Sequence, residues 1–409
     1  MPSRSGRVLV GFIVAAVAVS QGIRIALGAF VPAWEAEFGA SRAELGGLAG
    51  LVYVIYGAGQ PIVGRLADTL GAGRVLTGGL ALVGVGIGIS ALAPTLPLLF
   101  VAYLLLATVG FAATATPTAA VSIVRQFAGR GTLALGALAA AFPAGQIALG
   151  PLSVLAIDAA GWRLTLGAYA VFVLAVLTPL AAAIVPSIPR SIGRPFPATR
   201  IGGPSRGDST WSRATPLLRH RVLWLLVGPY VIGGLVSGFL IVHFVAFAQD
   251  QARSVETIAV ALATWAVLNV AGSLASGWLS ERVGRAALLV FLYSGRSVAL
   301  LLLLFSNGSP PLLFAFAALY GLLDFANFAP AVSLATERYG ARHGEGTIAG
   351  LLSLTHSVGA AAGAVTAGVL REASGNYDTA IALSVVGMAA AAAIAIALAA
   401  ATRRAAPAM

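Results

Sequence analysis

Long apolar runs, separated by short charged or glycine-rich stretches, fill the chain from residue 8 to residue 402. A helix that crosses a bilayer needs about 20 mainly apolar residues. Twelve runs reach that length: 8–30, 45–64, 75–94, 97–124, 132–156, 164–186, 222–247, 257–279, 286–305, 311–335, 346–370 and 379–402. The first run follows "RSGR", as the core of a signal peptide would, but it is longer than such a core.

One polar stretch occurs twice. "GRLADTLGAGR" (Gly64–Arg74) follows the second run and "GWLSERVGR" (Gly277–Arg285) follows the eighth. Gly64, Asp68 and Gly71 match Gly277, Glu281 and Gly284, each pair 213 positions apart. A weaker echo links "RQFAGRGTLALG" after run four to "ERYGARHGEGTIAG" after run ten. Copies at equivalent places make the chain a parallel repeat of two six-helix halves, which is a transporter architecture with its site between the halves. The expected organisation is an N-terminal bundle, 1–186, a Pro/Gly/Ser/Arg-rich linker, 187–220, and a C-terminal bundle, 221–409. Each hinge supplies glycines for close helix approach and an acid that caps a helix or pairs with arginine. Asp68, Arg74, Glu281 and Arg285 are therefore gating candidates, set against the plainer reading of a turn with topogenic arginines.

Composition agrees with lipid as the main solvent: 59% of the 409 residues are hydrophobic and only 10% are charged, against about 25% in soluble domains. The net charge of +11 does not call for nucleic acid, because the arginines sort by side. Nineteen lie in one set of loops and four in the other, which places both termini in the cytoplasm. The expected location is the inner (plasma) membrane, multi-pass. There is no cysteine and no lysine, so thiolate metal sites, disulfides and a Walker A loop are excluded. No His-Glu-x-x-His or Gly-x-Ser-x-Gly pattern occurs, and an enzyme, a metal site or a cofactor is not expected.

The two hinge stretches resemble the signature loop of the major facilitator superfamily and its second copy. "GIRIALGAFVPAWEAEFGASR" (Gly22–Arg42) resembles the first helix and loop of the bacterial monocarboxylate-transporter-like branch, which includes oxalate/formate-type exchangers. "RGTLALG", "HFVAFAQD" and "GTIAGLLSLTHSVGAAAG" resemble the same branch. The resemblance implies an all-α membrane protein, with twelve transmembrane helices in two pseudo-symmetric six-helix bundles. In many members of the branch a Gly-Arg-x-x-x-Gly stretch in span eight supplies an arginine thought to hold the substrate carboxylate. Here that stretch is "GSLASG" (Gly272–Gly277), with Ser273 at the arginine position, so the anchor is elsewhere or absent.

Five ionisable residues fall inside the runs, where charge is costly and marks pathways or paired structure: Arg24, His243, Arg296, Asp324 and His356. Arg24, in the outer third of run one, is a guanidinium able to grip a carboxylate with two prongs. Its alternative is snorkelling or a structural pair. Asp324 can carry a proton, and Arg296 is either its coupling partner or its structural counter-ion. His356 and His243 are substrate or proton candidates, the alternative being hydrogen-bonded structure. Among neutral groups, Tyr56, Asn269 and Asn327 are substrate candidates, with Tyr53, Gln60, Thr114, Thr118, Gln146 and Trp265 as weaker ones. "AGQIALGP" (Ala144–Pro151) partly resembles an antiporter motif but is read as a helix bend.

The expectation is a monomeric secondary active transporter of a small organic anion, a monocarboxylate such as lactate or pyruvate, working by proton-coupled alternating access. The alternatives are a proton-coupled exporter of amphipathic compounds and an anion exchanger without net proton coupling. An amphipathic exporter needs an acidic, aromatic-lined cavity, whereas Arg24 and two histidines suit an anion.

Overall fold

The computed structural model describes residues 4–115, 118–119, 138, 141–185, 221–307, 309–343 and 345–404. Among the described residues every regular element is helical. Twelve helices are long and apolar enough to cross a membrane: α1 (Val8–Phe38), α2 (Arg42–Leu66), α3 (Thr69–Leu92), α4 (Leu96–Ala113), α5 (Pro143–Ala160), α6 (Trp162–Ile184), α7 (Val222–Asp250), α8 (Val255–Val283), α9 (Arg285–Leu304), α10 (Pro310–Tyr339), α11 (Gly350–Ser374) and α12 (Asp378–Thr402). "RQFAGRGTLALG" and the expected linker 187–220 lie outside the described residues.

α1 corrects an expectation. It runs on through "VPAWEAEF" to Phe38, with a turn at Ala26, rather than ending near residue 30. Arg24 therefore stands near the middle of the span, not in its outer third. The acids that made this stretch look like loop are neutralised: Glu35 pairs with Arg42 at 2.5 Å and Glu37 with Arg163 at 2.5 Å. α2 then starts on a capping box, in which Ser41 Oγ accepts from the Glu44 amide and the Glu44 carboxylate accepts from the Ser41 amide.

The repeat is visible in the backbone. A π-type turn, Ala67–Gly71, joins α2 to the helix that follows, and Gly71 ends it at φ 93°, ψ 133°. Gly284, 213 positions on, holds φ 86°, ψ 136° between α8 and α9. A side chain at either position would be strained, which is why both copies place glycine there.

The described residues divide into two compact units, one within Met1–Ser191 plus Leu240–Ala266, the other within Ile192–Phe239 plus Val267–Met409. In the first, α1 crosses α5 so closely that a methyl group on Gly22 would stand 2.6 Å from the Gly145 carbonyl oxygen. In the second, α7 and α11 cross in the same manner: methyl groups on Gly234, Gly238, Gly359 or Gly363 would collide with the facing backbone. First and fifth helices of each six thus share one packing device, small residues that let backbones approach in lipid. Gly238→Ala is expected to cost about 1–3 kcal/mol through overpacking. It should lower the thermal unfolding midpoint of the purified protein. Gly78→Ala, inside a helix where nothing lies within 4 Å, should not lower the midpoint, since alanine is the better helix former.

Candidate functional site

Each unit holds a polar cluster built around an arginine. In the first unit, Arg24 is 8% exposed and lies on α1 one turn beyond Gln21. Residues three apart share a helix face, and Arg24 Nε donates to Gln21 Oε1 at 3.0 Å. The same oxygen accepts from the Tyr56 hydroxyl on α2 at 3.1 Å. Gln21 Nε2 donates to the Phe111 carbonyl on α4 at 3.0 Å. The guanidinium carbon lies 4.2 Å from the centre of the Tyr56 ring and 6.0 Å from that of Tyr53. Ser20 and Thr114 hydroxyls bond at 2.6 Å beside the cluster. A neutral amide and the π-face of a phenol are thus among the groups that hold this buried charge, the cation–π attraction being worth about 0.5–2 kcal/mol.

In the second unit, Arg296 on α9 is wholly buried and pairs with Asp324 on α10 at 3.1 Å. Its Nη2 also donates to the Tyr320 hydroxyl at 2.5 Å, to Ser237 Oγ at 3.2 Å and to the Gly233 carbonyl at 3.4 Å. Ser237 completes the ring by donating to Asp324 Oδ1 at 3.1 Å. Asn327 donates to the Tyr293 hydroxyl at 3.5 Å alongside. The cluster sits where α10 is broken: its helix stops at Leu323, passes Asp324, and takes a 3-10 turn over Phe325–Asn327 before resuming at Phe328. Pro330 explains the break. Proline has no N–H to offer the carbonyl four residues earlier, here that of Ala326. The Ser276 hydroxyl of α8 donates to that carbonyl instead. Gly272, also on α8, admits the Leu322 backbone to within the space of a missing side chain.

The remaining candidates are dispersed. His356 on α11 is half-buried, its ring 5.1 Å from that of Tyr230. His243 is fully buried in the first unit. Asn269, also buried, accepts from Ser273 Oγ at 3.4 Å, so the residue at the missing-arginine position is engaged within its own helix. Gln146 and Trp265 line a small cavity with Ile25, Ala29 and Phe244. Arg74 and Glu281 are exposed. The side chain of Asp68 lies outside the described residues. Arg285 takes Glu337 as its carboxylate partner, because α9 packs beside α10 and its first turn meets the last turn of α10.

Gln21, Ser237, Tyr320 and Tyr293 were not singled out from the sequence. Two of them had a local signal: Gln21 is three residues before Arg24, and Tyr320 four before Asp324, spacings that share a helix face with the charge.

Twelve spans, two copies of one hinge and two copies of one helix crossing define a membrane transporter of internally repeated design. The model of the Major Facilitator Superfamily matches residues 12–252 and 230–408. The chain belongs to that superfamily and is a multi-pass membrane transporter rather than an enzyme. It is similar to monocarboxylate transporter 13 of Bos taurus, 28% identical over 87% of this chain and 80% of that one. It is also similar to monocarboxylate transporter 11 of Mus musculus, 29% identical over 90% of this chain and 82% of that one. Two solved structures share the fold at 14% identity. A bacterial homolog of the human lysosomal transporter Spinster has a TM-score of 0.80 and covers 97% of this chain and 98% of its own. The nucleoside transporter NupG has a TM-score of 0.74 and covers 97% and 100%.

Proposed function

We propose that the protein moves a small organic anion, a monocarboxylate of the size of lactate or pyruvate, by proton-coupled alternating access. The observation that carries this reading is Arg24, a permanently charged group buried near mid-span and bonded to the neutral amide of Gln21. Arg296 is paired with the carboxylate of Asp324. A buried guanidinium suits an arriving carboxylate, which it can grip with two parallel N–H groups. The named likeness to monocarboxylate transporters supports the same substrate class.

Asp324 is the proposed proton carrier. The Nη2 of its counter-ion also lies within hydrogen-bond distance of the Tyr320 hydroxyl, Ser237 Oγ and the Gly233 carbonyl, so its two hydrogens keep neutral acceptors if the carboxylate takes up a proton. His356, His243, Tyr56, Asn269 and Asn327 remain proposed ligands of lower rank, and Arg74, Glu281, Arg285 and Asp68 proposed gate residues. The proposal places the chain as a monomer in the inner membrane with both termini cytoplasmic, on the arginine distribution between loops. Its organisation is 1–186 and 221–409 joined by 187–220.

A thermal-shift series with purified protein tests the substrate class. A ligand of the folded state raises the unfolding midpoint in proportion to its occupancy. Pyruvate and lactate are expected to raise it, and their uncharged amides to leave it unchanged. Equal shifts with acid and amide would remove the anion from the proposal.

A further inference from the structure

Ser237 stands between the two charges of the second cluster. Its hydroxyl donates to Asp324 Oδ1 at 3.1 Å and accepts from Arg296 Nη2 at 3.2 Å. The three groups come from α7, α10 and α9, and none of these residues is more than 2% exposed. A serine inside a helix ordinarily gives its proton to the carbonyl four residues earlier. For Ser237 that carbonyl belongs to Gly233, and it lies 3.4 Å from the same Arg296 nitrogen. The Ser237 proton points to Asp324 instead. We infer that Ser237 is the positioning residue of the proton carrier. Its hydroxyl gives Asp324 a partner in both protonation states, a donor when the carboxyl is ionised and an acceptor when it holds a proton.

A hydroxyl suits both states because it has one O–H, two lone pairs and a free rotation. A proton arriving on Asp324 Oδ1 is directed at Ser237 Oγ, whose second lone pair still takes Arg296 Nη2. The Ser237 O–H then turns to the Gly233 carbonyl, its ordinary helical acceptor. The carboxyl takes up a proton and later returns it, while Ser237 keeps its own throughout. Three phenols stand around the pair, Tyr320 on α10, Tyr293 on α9 and Tyr230 on α7, with the His356 ring of α11 against Tyr230. Ordinary phenols keep their protons near neutral pH, so of the groups that Ser237 touches, Asp324 is the one that changes charge. Alanine at 237 would remove the donor of one state and the acceptor of the other.

The inference rests on Asp324 as the proton carrier, and the experiment separates the two. Full-length protein in proteoliposomes is assayed with labelled pyruvate, as uptake driven by an inward proton gradient and as exchange at equal pH. Wild type, Asp324→Asn, Ser237→Ala, Ser237→Cys and Ser237→Thr are compared. Ser237→Ala is expected to lose about tenfold in driven uptake, the size of one hydrogen bond to a charged group, and far less in exchange. Ser237→Cys, close to serine in size but a weak donor and acceptor, should fall with alanine. Ser237→Thr keeps the hydroxyl and should retain driven uptake to within about twofold. A serine that merely packs α7 against its neighbours predicts another order, with cysteine nearest wild type and the larger threonine worst, and that order overturns the inference. So does an equal loss of driven uptake and exchange in Ser237→Ala. If Ser237→Ala does not fold, the other two decide: wild-type driven uptake in Ser237→Cys, or a loss in Ser237→Thr as large as that in Ser237→Cys, overturns it. Loss of driven uptake in Asp324→Asn with wild-type uptake in Ser237→Ala overturns the role of Ser237 alone. Should Asp324→Asn not fold, Arg296→Met with Asp324→Leu takes its place. Driven uptake in that carrier variant equal to wild type, or no driven uptake in wild type, overturns the carrier, and the positioning role falls with it.

Discussion

Arg24→Ala is expected to weaken carboxylate binding by about 2–5 kcal/mol, the range for removing one partner of a desolvated charge pair. That is roughly thirtyfold or more in dissociation constant. The fold should survive, since Gln21, the side chain that Arg24 bonds, has partners of its own on α2 and α4. The variant leaves Gln21 bonded to Tyr56 and to the Phe111 carbonyl. Arg24→Lys should restore binding only in part: an ammonium keeps the charge but loses the planar fork and the stacking on Tyr56. Pyruvate titrations of the three proteins, with unfolding midpoints as a check on folding, measure the effect. Equal affinity in a folded Arg24→Ala protein would move the anchor elsewhere.

The Arg296–Asp324 pair should behave in the opposite way, with stability changing as well as transport. Breaking a buried pair from one side costs about 3–5 kcal/mol because a charge is left uncompensated. The two sides are not equivalent. A buried carboxyl can shed its charge by binding a proton, and a guanidinium cannot. Asp324→Asn, which strands the Arg296 charge among Tyr320, Ser237 and Gly233, is therefore expected to lower the unfolding midpoint more than Arg296→Met. The double variant Arg296→Met with Asp324→Leu should recover most of the loss, as apolar replacements of buried pairs do. All three should lose uptake driven by a pH gradient if Asp324 carries the proton, while exchange of substrate across the membrane at equal pH persists. Concentrative uptake equal to wild type in the folded double variant would make the pair purely structural.

Much of the architecture was legible in the chain. The twelve apolar runs correspond to twelve helices, and the hinge copies predicted the repeat that Gly71 and Gly284 share in backbone angles. The extension of α1 was hidden because Glu35 and Glu37 lower the apolar average of "VPAWEAEF", and their partners Arg42 and Arg163 come from other helices. Ion pairs between helices leave no trace in local spacing. For the same reason the Arg296–Asp324 pair could be anticipated only as one of two readings, and Ser237, which bridges it from α7, not at all. The break in α10 did have a sequence signal, Pro330 in "DFANFAP", but its consequence depends on Ser276 reaching the Ala326 carbonyl from another helix. Arg24 stood out as an intramembrane charge. Its contact with the Tyr56 ring of α2 is a property of the packed helices.

The most direct test of the account is uptake of labelled pyruvate by proteoliposomes, with and without an inward proton gradient, for wild type and Arg24→Ala side by side. The account predicts concentrative uptake by wild type that collapses when the gradient is dissipated, competition by unlabelled lactate but not by its amide, and background uptake by Arg24→Ala. Wild-type vesicles that accumulate no monocarboxylate under the gradient, or Arg24→Ala vesicles that accumulate it as well as wild type, would contradict it.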